Sequence, residues 1–91
     1  MANRRRTIER VQTGVRMERR VVQVLKGLAA ALGMSLGDLI EGIVLHAFEG
    51  KLPFSPQTLA QIAALRGAYG LDLEASDSHL LVEKRGRRGP R

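Results

Sequence analysis

One seven-residue stretch alternates apolar and polar side chains, and the segments that follow it repeat with a helical period. Because strand side chains alternate between two faces, residues 11–17 (VQTGVRM) predict a β-strand. Its mainly apolar face carries Val11, Thr13, Val15 and Met17, and its polar face carries Gln12, Gly14 and Arg16. No partner strand follows in the chain, and an unpaired strand edge is free to pair with another molecule. The sequence therefore predicts a strand that pairs with its counterpart in a second copy of the chain.

Two amphipathic helices are predicted after this strand. The first begins at Glu18, and Gly33 ends it, since glycine commonly occupies the position after a helix. Ser35 is a good N-cap for the second helix, Asp38 completes a variant of the capping box, and Gly50 closes it. Apolar residues recur in both at spacings of three and four, as a buried helix face requires. The predicted faces consist of Val21, Val22, Leu25, Leu28, Ala29 and Leu32, and of Leu39, Ile40, Ile43, Val44 and Ala47, with Phe48 at the flank.

A third helix is predicted over residues 56–69. Ser55 is its N-cap, Pro56 is its first residue, and Gly70 ends it. A short further helix is expected near 77–84. The apolar residues that lie close to one face of the third helix are Leu59, Ile62, Leu65 and Tyr69.

The predicted elements divide the chain into four parts. Residues 1–10 are polar and basic and lack a core-facing pattern, which predicts a disordered arm in the free protein. Residues 11–50 hold the strand and two helices and form the expected dimerisation domain. Residues 51–84 are a C-terminal helical extension, and residues 85–91 are expected to be a disordered basic tail.

The size and charge of the chain favour oligomerisation and an anionic partner. The 91 residues include no cysteine, and small scaffolds without disulfides or metals commonly gain stability by oligomerisation. The net charge of +6 is segregated along the sequence. Residues 1–26 carry +6, residues 27–83 carry −5 and residues 84–91 carry +5. Positive charge at both ends suits a nucleic acid better than a uniformly basic surface would.

The strand, the two helices and their order resemble the ribbon-helix-helix superfamily, the Arc, MetJ and CopG type of bacterial DNA-binding repressor. The resemblance covers about residues 11–49. It implies a mainly α fold with one short strand, an intertwined homodimer with a two-stranded antiparallel intermolecular ribbon, here with a C-terminal helical extension. Such a ribbon fits the major groove of DNA, so the resemblance implies that residues 11–50 are also the DNA-binding domain. The similarity rests on the alternating strand, the turn Gly33-Met34-Ser35, and the apolar residues Val21, Leu25, Leu39, Ile40 and Val44.

The resemblance also implies which residues contact DNA. In that family, outward strand residues contact bases and the start of the second helix contacts a phosphate. Carried over, the base-contacting residues are Gln12, Gly14 and Arg16, and the phosphate contacts come from Ser35 and the amides of Ser35 and Leu36. Side-chain chemistry agrees, since arginine pairs with guanine, glutamine pairs with adenine, and a helix N-terminus attracts anions.

The basic arm adds further expected phosphate contacts. Arg4, Arg5 and Arg6 can neutralise phosphates without reading bases. The expected dimer core consists of Val11, Val15, Met17, Val21, Leu25, Leu28, Leu39, Ile40, Ile43 and Val44.

Three residues depart from the family pattern. Gly14 supplies no side chain at the middle base-contacting position. Gly37 stands where the family often has a second small hydroxyl, which weakens the expected phosphate contact. Glu18 occupies the N-cap position of the first helix, where it is expected to be a poor cap although its charge suits the helix dipole.

Two classes of function remain open from the sequence. The first is a transcriptional regulator, a repressor whose homodimer inserts its ribbon into an operator, with dimers able to lie side by side on DNA. The second is protein interaction: an antitoxin of this fold binds a toxin through its C-terminal segment, and an accessory protein of plasmid transfer or partition is a further variant. Because antitoxin tails are commonly disordered until bound, the proline-capped helix at 56–69 favours the regulator.

Other classes of function are not favoured. His46 and His79 are isolated, and a metal site needs further ligands, so no metal or other cofactor is expected. Three aromatic residues are too few for an RNA surface built on stacking. No nucleophile–base pair, phosphate loop or paired-acid site indicates an enzyme. Neither a signal peptide nor a membrane-spanning run is visible, which predicts a cytoplasmic, nucleoid-associated protein without a membrane partner.

Overall fold

Three helices form the body of the protein in a computed structural model that describes residues 5–84. They are α1 (Arg19–Leu32), α2 (Leu36–Phe48) and α3 (Pro56–Tyr69). One short 3₁₀ turn, Ala75–Asp77, follows α3. Over residues 5–84 the fold is all-helical, and no β-strand is present in that range.

The predicted strand at residues 11–17 is wrong, and with it the fold that the ribbon-helix-helix resemblance implies. The segment has no regular secondary structure and is exposed throughout. A strand exists through a ladder of backbone hydrogen bonds, and no described segment of the chain forms one with residues 11–17. Gly14 weakens any strand further, because it contributes no side chain to pack. The expected ribbon is therefore replaced by an irregular segment that leads into α1.

The cap of α1 also corrects the sequence-based expectation. Glu18 has extended backbone angles (φ −60°, ψ 137°), and its carboxylate accepts hydrogen bonds from the amides of Arg20 (2.8 Å) and Val21 (3.1 Å). The expectation that Glu18 caps poorly is wrong, because its longer side chain reaches back to the first turn. At the other end, Gly33 adopts a left-handed conformation (φ 69°), as a glycine that closes a helix should.

The predicted starts of α2 and α3 are confirmed. Ser35 Oγ accepts a hydrogen bond from the amide of Asp38 (3.1 Å), and Ser55 Oγ accepts one from the amide of Thr58 (3.1 Å). The predicted range 56–69 matches α3, which Pro56 opens. Both helices therefore begin as their local sequence signals dictate.

The helix expected near 77–84 is wrong. Only the turn Ala75–Asp77 is helical, and residues 80–84 have no regular structure. His79 has a positive φ of 69°, which a right-handed helix cannot continue through. The chain after α3 is therefore mostly an extended return rather than a further helix.

The hydrophobic core is small and lies where α1 meets α2 and α3. The buried apolar residues are Val24, Leu28, Ala29, Leu39 and Leu71. Partly buried residues that pack against the centre of this core are Leu25, Ile43, Phe54, Ile62 and Leu65. Gly27 lets α3 approach α1, because a Cβ at this position would lie 2.8 Å from Leu65 Cδ2.

After α3 the chain returns to the start of α1, and we call residues 71–84 the C-terminal segment. Arg20 Nη1 donates to a backbone carbonyl at the end of α3 (2.9 Å) and to Asp72 Oδ1 (3.1 Å). Arg66 Nη2 donates to the carbonyl of Leu73 (3.0 Å). Two arginines thus fix the root of the C-terminal segment against α1 and α3.

Candidate nucleic-acid interface

The N-terminal part of the described chain presents a row of arginines, and we call residues 5–19 the basic segment. Every residue from 5 to 17 is exposed. The segment holds two glutamates, Glu9 and Glu18, and five arginines: Arg5, Arg6, Arg10, Arg16 and Arg19. Exposed arginines on a segment outside the core can follow a phosphate backbone, which is the electrostatic feature of nucleic-acid binding proteins.

Arg10 joins the basic segment to the beginning of α2. Its Nε and Nη2 donate to the two carboxylate oxygens of Glu41 at 3.2 and 2.9 Å, and Nη2 lies 3.6 Å from Asp38 Oδ1. The hydrogen bond from Arg10 lowers the pKa of Glu41, and the same bond raises the pKa of Arg10. Two carboxylates that would otherwise repel a phosphate near α2 therefore face a cation.

Arg16 contacts the far end of the chain. Its guanidinium contacts the carboxylate of Glu83, which comes 67 residues later. Beside this pair, the start of α1 and the end of the C-terminal segment enclose a cleft of about 600 Å³. The cleft is lined by apolar residues such as Leu81 and by the cations Arg19 and Lys84. The fold thus brings Glu83 and Lys84 beside the basic segment.

Arg20 directly follows the basic segment but has a structural role. Its Nε donates to Glu18 Oε2 (3.0 Å), in addition to the bonds that hold the C-terminal segment. Burial raises the pKa of Glu18, but the hydrogen bonds from the side chain of Arg20 and from the amides of Val21 and Arg20 outweigh it, so the pKa lies below its ordinary value. The charge of Arg20 is used within the fold.

The three residues predicted to contact bases, Gln12, Gly14 and Arg16, all lie in the exposed basic segment. Arg16 has Glu83 as its partner. A Cβ at Gly14 would meet no atom within 4 Å, so packing within the chain does not require glycine at this position.

The predicted phosphate contacts separate into two groups. Arg5 and Arg6 are exposed, and neither has an ion-pair partner among residues 5–84, whereas Arg4 lies outside the described range. Ser35 uses its hydroxyl to cap α2, and Leu36 is half-buried. The arginines are therefore the more available phosphate ligands.

A contact across the chain brings Arg10 of the basic segment to the start of α2. Arg10, which lies between the arm arginines and the predicted base contacts, reaches Asp38 in the first turn of α2. The basic segment therefore lies beside the helix start that the sequence nominated for a phosphate.

The residues predicted to form a dimer core do not share one environment. Within a single chain, Leu28 and Leu39 are buried; half-buried members are Val21, Leu25, Ile40 and Ile43; exposed members are Val11, Val15, Met17 and Val44.

Most residues of α2 are apolar, but only Leu39 is buried. We call the exposed apolar residues on and after the end of α2 the α2 surface: Val44, Leu45, Phe48 and Leu52. Exposed apolar patches of this kind mark interaction sites.

Sequence reasoning missed two of the three acids that contact Arg10 and Arg16. Glu41 and Glu83 lie 31 and 67 residues from their arginine partners, so no local pattern links them. One signal was present for Glu83, because it is the sole acid in the last 14 residues of the chain.

Two further features of residues 5–84 concern metal ions and membranes. No group of three or more His, Cys, Asp or Glu side chains in this range could hold a metal ion. His46 Nδ1 lies 2.7 Å from the carbonyl oxygen of Gly42, to which it donates. No single helix in that range is long and apolar enough to cross a membrane; α1 and α2 match a span only as a pair bent by 100°.

No protein-family model, no curated protein and no solved structure matches this chain.

Proposed function

We propose that this protein is a sequence-specific DNA-binding regulator of transcription, a repressor that occupies its operator as a homodimer. The exposure of the basic segment carries the proposal. Arg5, Arg6 and Arg19 are exposed, and none has an ion-pair partner within residues 5–84. Unpaired cations on one surface segment are free to replace the counterions of a phosphate backbone.

The length of the basic segment suits this role. Double-stranded DNA carries one charge per about 1.7 Å of helix axis, and an extended chain spans at most about 3.3–3.6 Å per residue. Residues 5–19 therefore reach several consecutive phosphates. The contact between Arg10 and Glu41 places the middle of the segment beside α2.

Specificity in this proposal comes from Gln12 and Arg16. Both side chains are long and exposed, and both belong to residue types that form paired hydrogen bonds with bases in the major groove. Flanking arginines that contact phosphates would position them over the base edges, because backbone contacts set the register of a protein on DNA.

The homodimer in this proposal forms through the α2 surface. Phe48 is 81% exposed and Leu52 is 87% exposed, which is unusual for large apolar side chains in a small fold. A second copy that covers this surface would add apolar burial to a core of few residues. Two basic segments in one assembly would also double the number of DNA contacts.

A protein-binding role, such as that of an antitoxin or of an accessory protein in plasmid transfer or partition, is the second candidate. The observation that favours it is the exposed apolar run Leu80, Leu81 and Val82 in the C-terminal segment. Against it, α3 packs on α1 through Leu65 and Gly27 without any other protein, as expected of a folded extension rather than a tail that folds on binding.

Selection of duplexes from a random library tests the proposal. The enriched sequence and a scrambled duplex of equal length would then be titrated with the full chain by fluorescence anisotropy. We expect at least about 10³-fold tighter binding to the enriched sequence, with affinity that falls steeply as salt is added. A triple variant, Arg5→Gln, Arg6→Gln and Arg19→Gln, should lose affinity for both duplexes.

Lys51→Gln is the matched control. Lys51 is an exposed cation that follows the C-terminal end of α2, whereas Arg10 contacts the N-terminal part of that helix. Its ammonium group pairs with Glu49 at 3.0 Å. This variant should bind both duplexes like the wild type. Absence of any DNA binding at low salt, or an equal loss in the Lys51 variant, would contradict the proposed function.

A further inference from the structure

The acid that contacts Arg16 occupies an unusual place in the sequence. Glu83 is the sole acid among residues 78–91, and the eight residues that follow it include five bases. Such a run would contribute only positive charge to a DNA-binding surface if Glu83 were absent. In the structure, its carboxylate contacts the guanidinium of Arg16, which is proposed to contact a base.

The fold holds this acid close to Arg16. The root of the C-terminal segment is fixed by the hydrogen bonds of Arg20 and Arg66, and Leu71 is buried. Farther along, Leu81 lines the same cleft as the first residues of α1. Because the acid and the arginine belong to one chain, they meet at an effective concentration on the order of millimolar or higher.

The contact is nevertheless easy to break. The side chains of Arg16 and Glu83 are 83% and 69% exposed, so water and salt screen their attraction. Exposed ion pairs contribute little to stability. A pair of this kind suits a reversible competitor better than a permanent element of the fold.

We infer that Glu83 competes with DNA for Arg16, so that the C-terminal segment restrains DNA binding by the free protein. The inference rests on the proposed function, because it assigns a regulator to the same DNA-binding surface. An incoming guanine or phosphate must displace the carboxylate of Glu83 before the guanidinium of Arg16 can bind it. Each protomer therefore carries an intramolecular anion that mimics part of its ligand.

A double-mutant cycle in the full chain tests the competition. Wild type, Glu83→Gln, Arg16→Gln and the double variant would be titrated with the same duplex at one salt concentration. Glu83→Gln should raise affinity by about two- to fivefold, the range set by an exposed ion pair. In the Arg16→Gln background, the same change should raise affinity by much less, because no guanidinium remains to be released.

Glu9→Gln separates competition from general repulsion of DNA by an acid. Glu9 lies in the basic segment and has no ion-pair partner within the described range. Its removal should raise affinity equally with and without Arg16. If Glu83→Gln behaves in the same way, repulsion alone acts and the inference is wrong.

The remaining outcomes distinguish the inference from the function on which it rests. Unchanged affinity in Glu83→Gln, with normal binding by the wild type, overturns the competition and leaves DNA binding intact. A wild-type chain that binds no DNA overturns both. An NMR readout in the free protein gives independent support, since Glu83→Gln should shift the side-chain resonances of Arg16, and added DNA should shift the carboxyl resonance of Glu83 in the wild type.

Discussion

Arg10 and Glu41 lie 31 residues apart in the chain and meet through two hydrogen bonds, at 3.2 Å from Nε and 2.9 Å from Nη2. This bidentate pair connects the basic segment to α2. Paired bonds between a guanidinium and a carboxylate fix orientation as well as proximity. The pair therefore places the middle of the basic segment beside the first turns of α2.

The pH dependence of this contact follows from the pKa of Glu41, which the hydrogen bond from Arg10 lowers. Because the contact lowers the carboxyl pKa of Glu41 in the folded state, it contributes to the stability of the fold above the unfolded pKa. This stability is lost as the pH falls through the folded pKa. We expect the carboxyl ¹³C resonance of Glu41 to titrate at a higher pH in Arg10→Gln than in the wild type. Equal midpoints in the two proteins would show that the pair does not persist in solution.

Loss of the Glu18 cap should destabilise α1. Glu18→Ala removes the acceptor for two backbone amides and one bond to Arg20, and we expect the Tm to fall by about 4 °C or more. Because the pKa of Glu18 is lowered in the fold, the difference in Tm should shrink as the pH falls through that pKa. Glu18→Ser, which can still cap, should recover part of the loss in thermal unfolding followed by circular dichroism.

Two glycines should respond in opposite ways to alanine. Gly67→Ala in α3 meets no atom within 4 Å and should raise the free energy of unfolding by up to about 1 kcal/mol, as replacement of a helical glycine does. Gly27→Ala gains the same helix propensity but places its Cβ 2.8 Å from Leu65 Cδ2, so the side chain of Leu65 must leave its packed position. The free energy of unfolding, measured with urea, should therefore be higher for Gly67→Ala than for the wild type. For Gly27→Ala it should be equal to or lower than the wild-type value. The reverse order would contradict the packing of α3 on α1.

The α2 surface should mediate self-association. Phe48→Glu places a charge on an exposed apolar patch and should shift the sedimentation equilibrium toward monomer, whereas Gln61→Glu on the exposed part of α3 should not. The Tm of the wild type should rise with protein concentration, and that rise should be weaker in Phe48→Glu. A wild type that sediments as a monomer at all concentrations would exclude the homodimer.

Mutations at the expected base contact and at the expected phosphate contacts should affect DNA affinity differently. Arg16→Ala should lower affinity for the selected operator more than for scrambled DNA, because a bidentate base contact discriminates by about 1–3 kcal/mol. Arg5→Ala with Arg6→Ala should weaken both complexes alike and reduce the log–log salt slope by about 0.9 for each phosphate that is no longer neutralised. Titrations at several salt concentrations measure both effects. Equal reductions in affinity for both duplexes in Arg16→Ala would mean that Arg16 does not read sequence.

The parts of the fold that depend on local signals could be predicted from the sequence. The bounds of α3 follow from Ser55, Pro56 and Gly70, because an N-cap hydroxyl, a proline in the first turn and a left-handed glycine act on adjacent backbone groups. The cap at Glu18 is also local, but it requires a side chain long enough to reach back to the amides of Arg20 and Val21. This cap was not predicted, because N-cap residues usually have short side chains.

The parts that depend on distant partners could not be predicted. Alternation in residues 11–17 is typical of a strand, but only a second strand would supply the hydrogen bonds, and the chain provides none among the residues described. The partners of Arg10 and Arg16 follow from how α2 and the C-terminal segment fold back, which periodicity does not encode. The exposed cations were visible in the sequence, whereas the acids that face them were not.

The return of the chain onto α1 has a consequence for synthesis on the ribosome. Ile62 and Leu65 of α3 pack against the core residues Leu28 and Ala29 of α1, and Arg20 finds its carbonyl partner only at Gly70. At about 5–20 residues per second, the ribosome needs roughly 2–8 s to add the residues between the end of α1 and Gly70. During that interval Val24 and Leu28 lack their final neighbours. The core around α1 is therefore completed only after α3 has been translated.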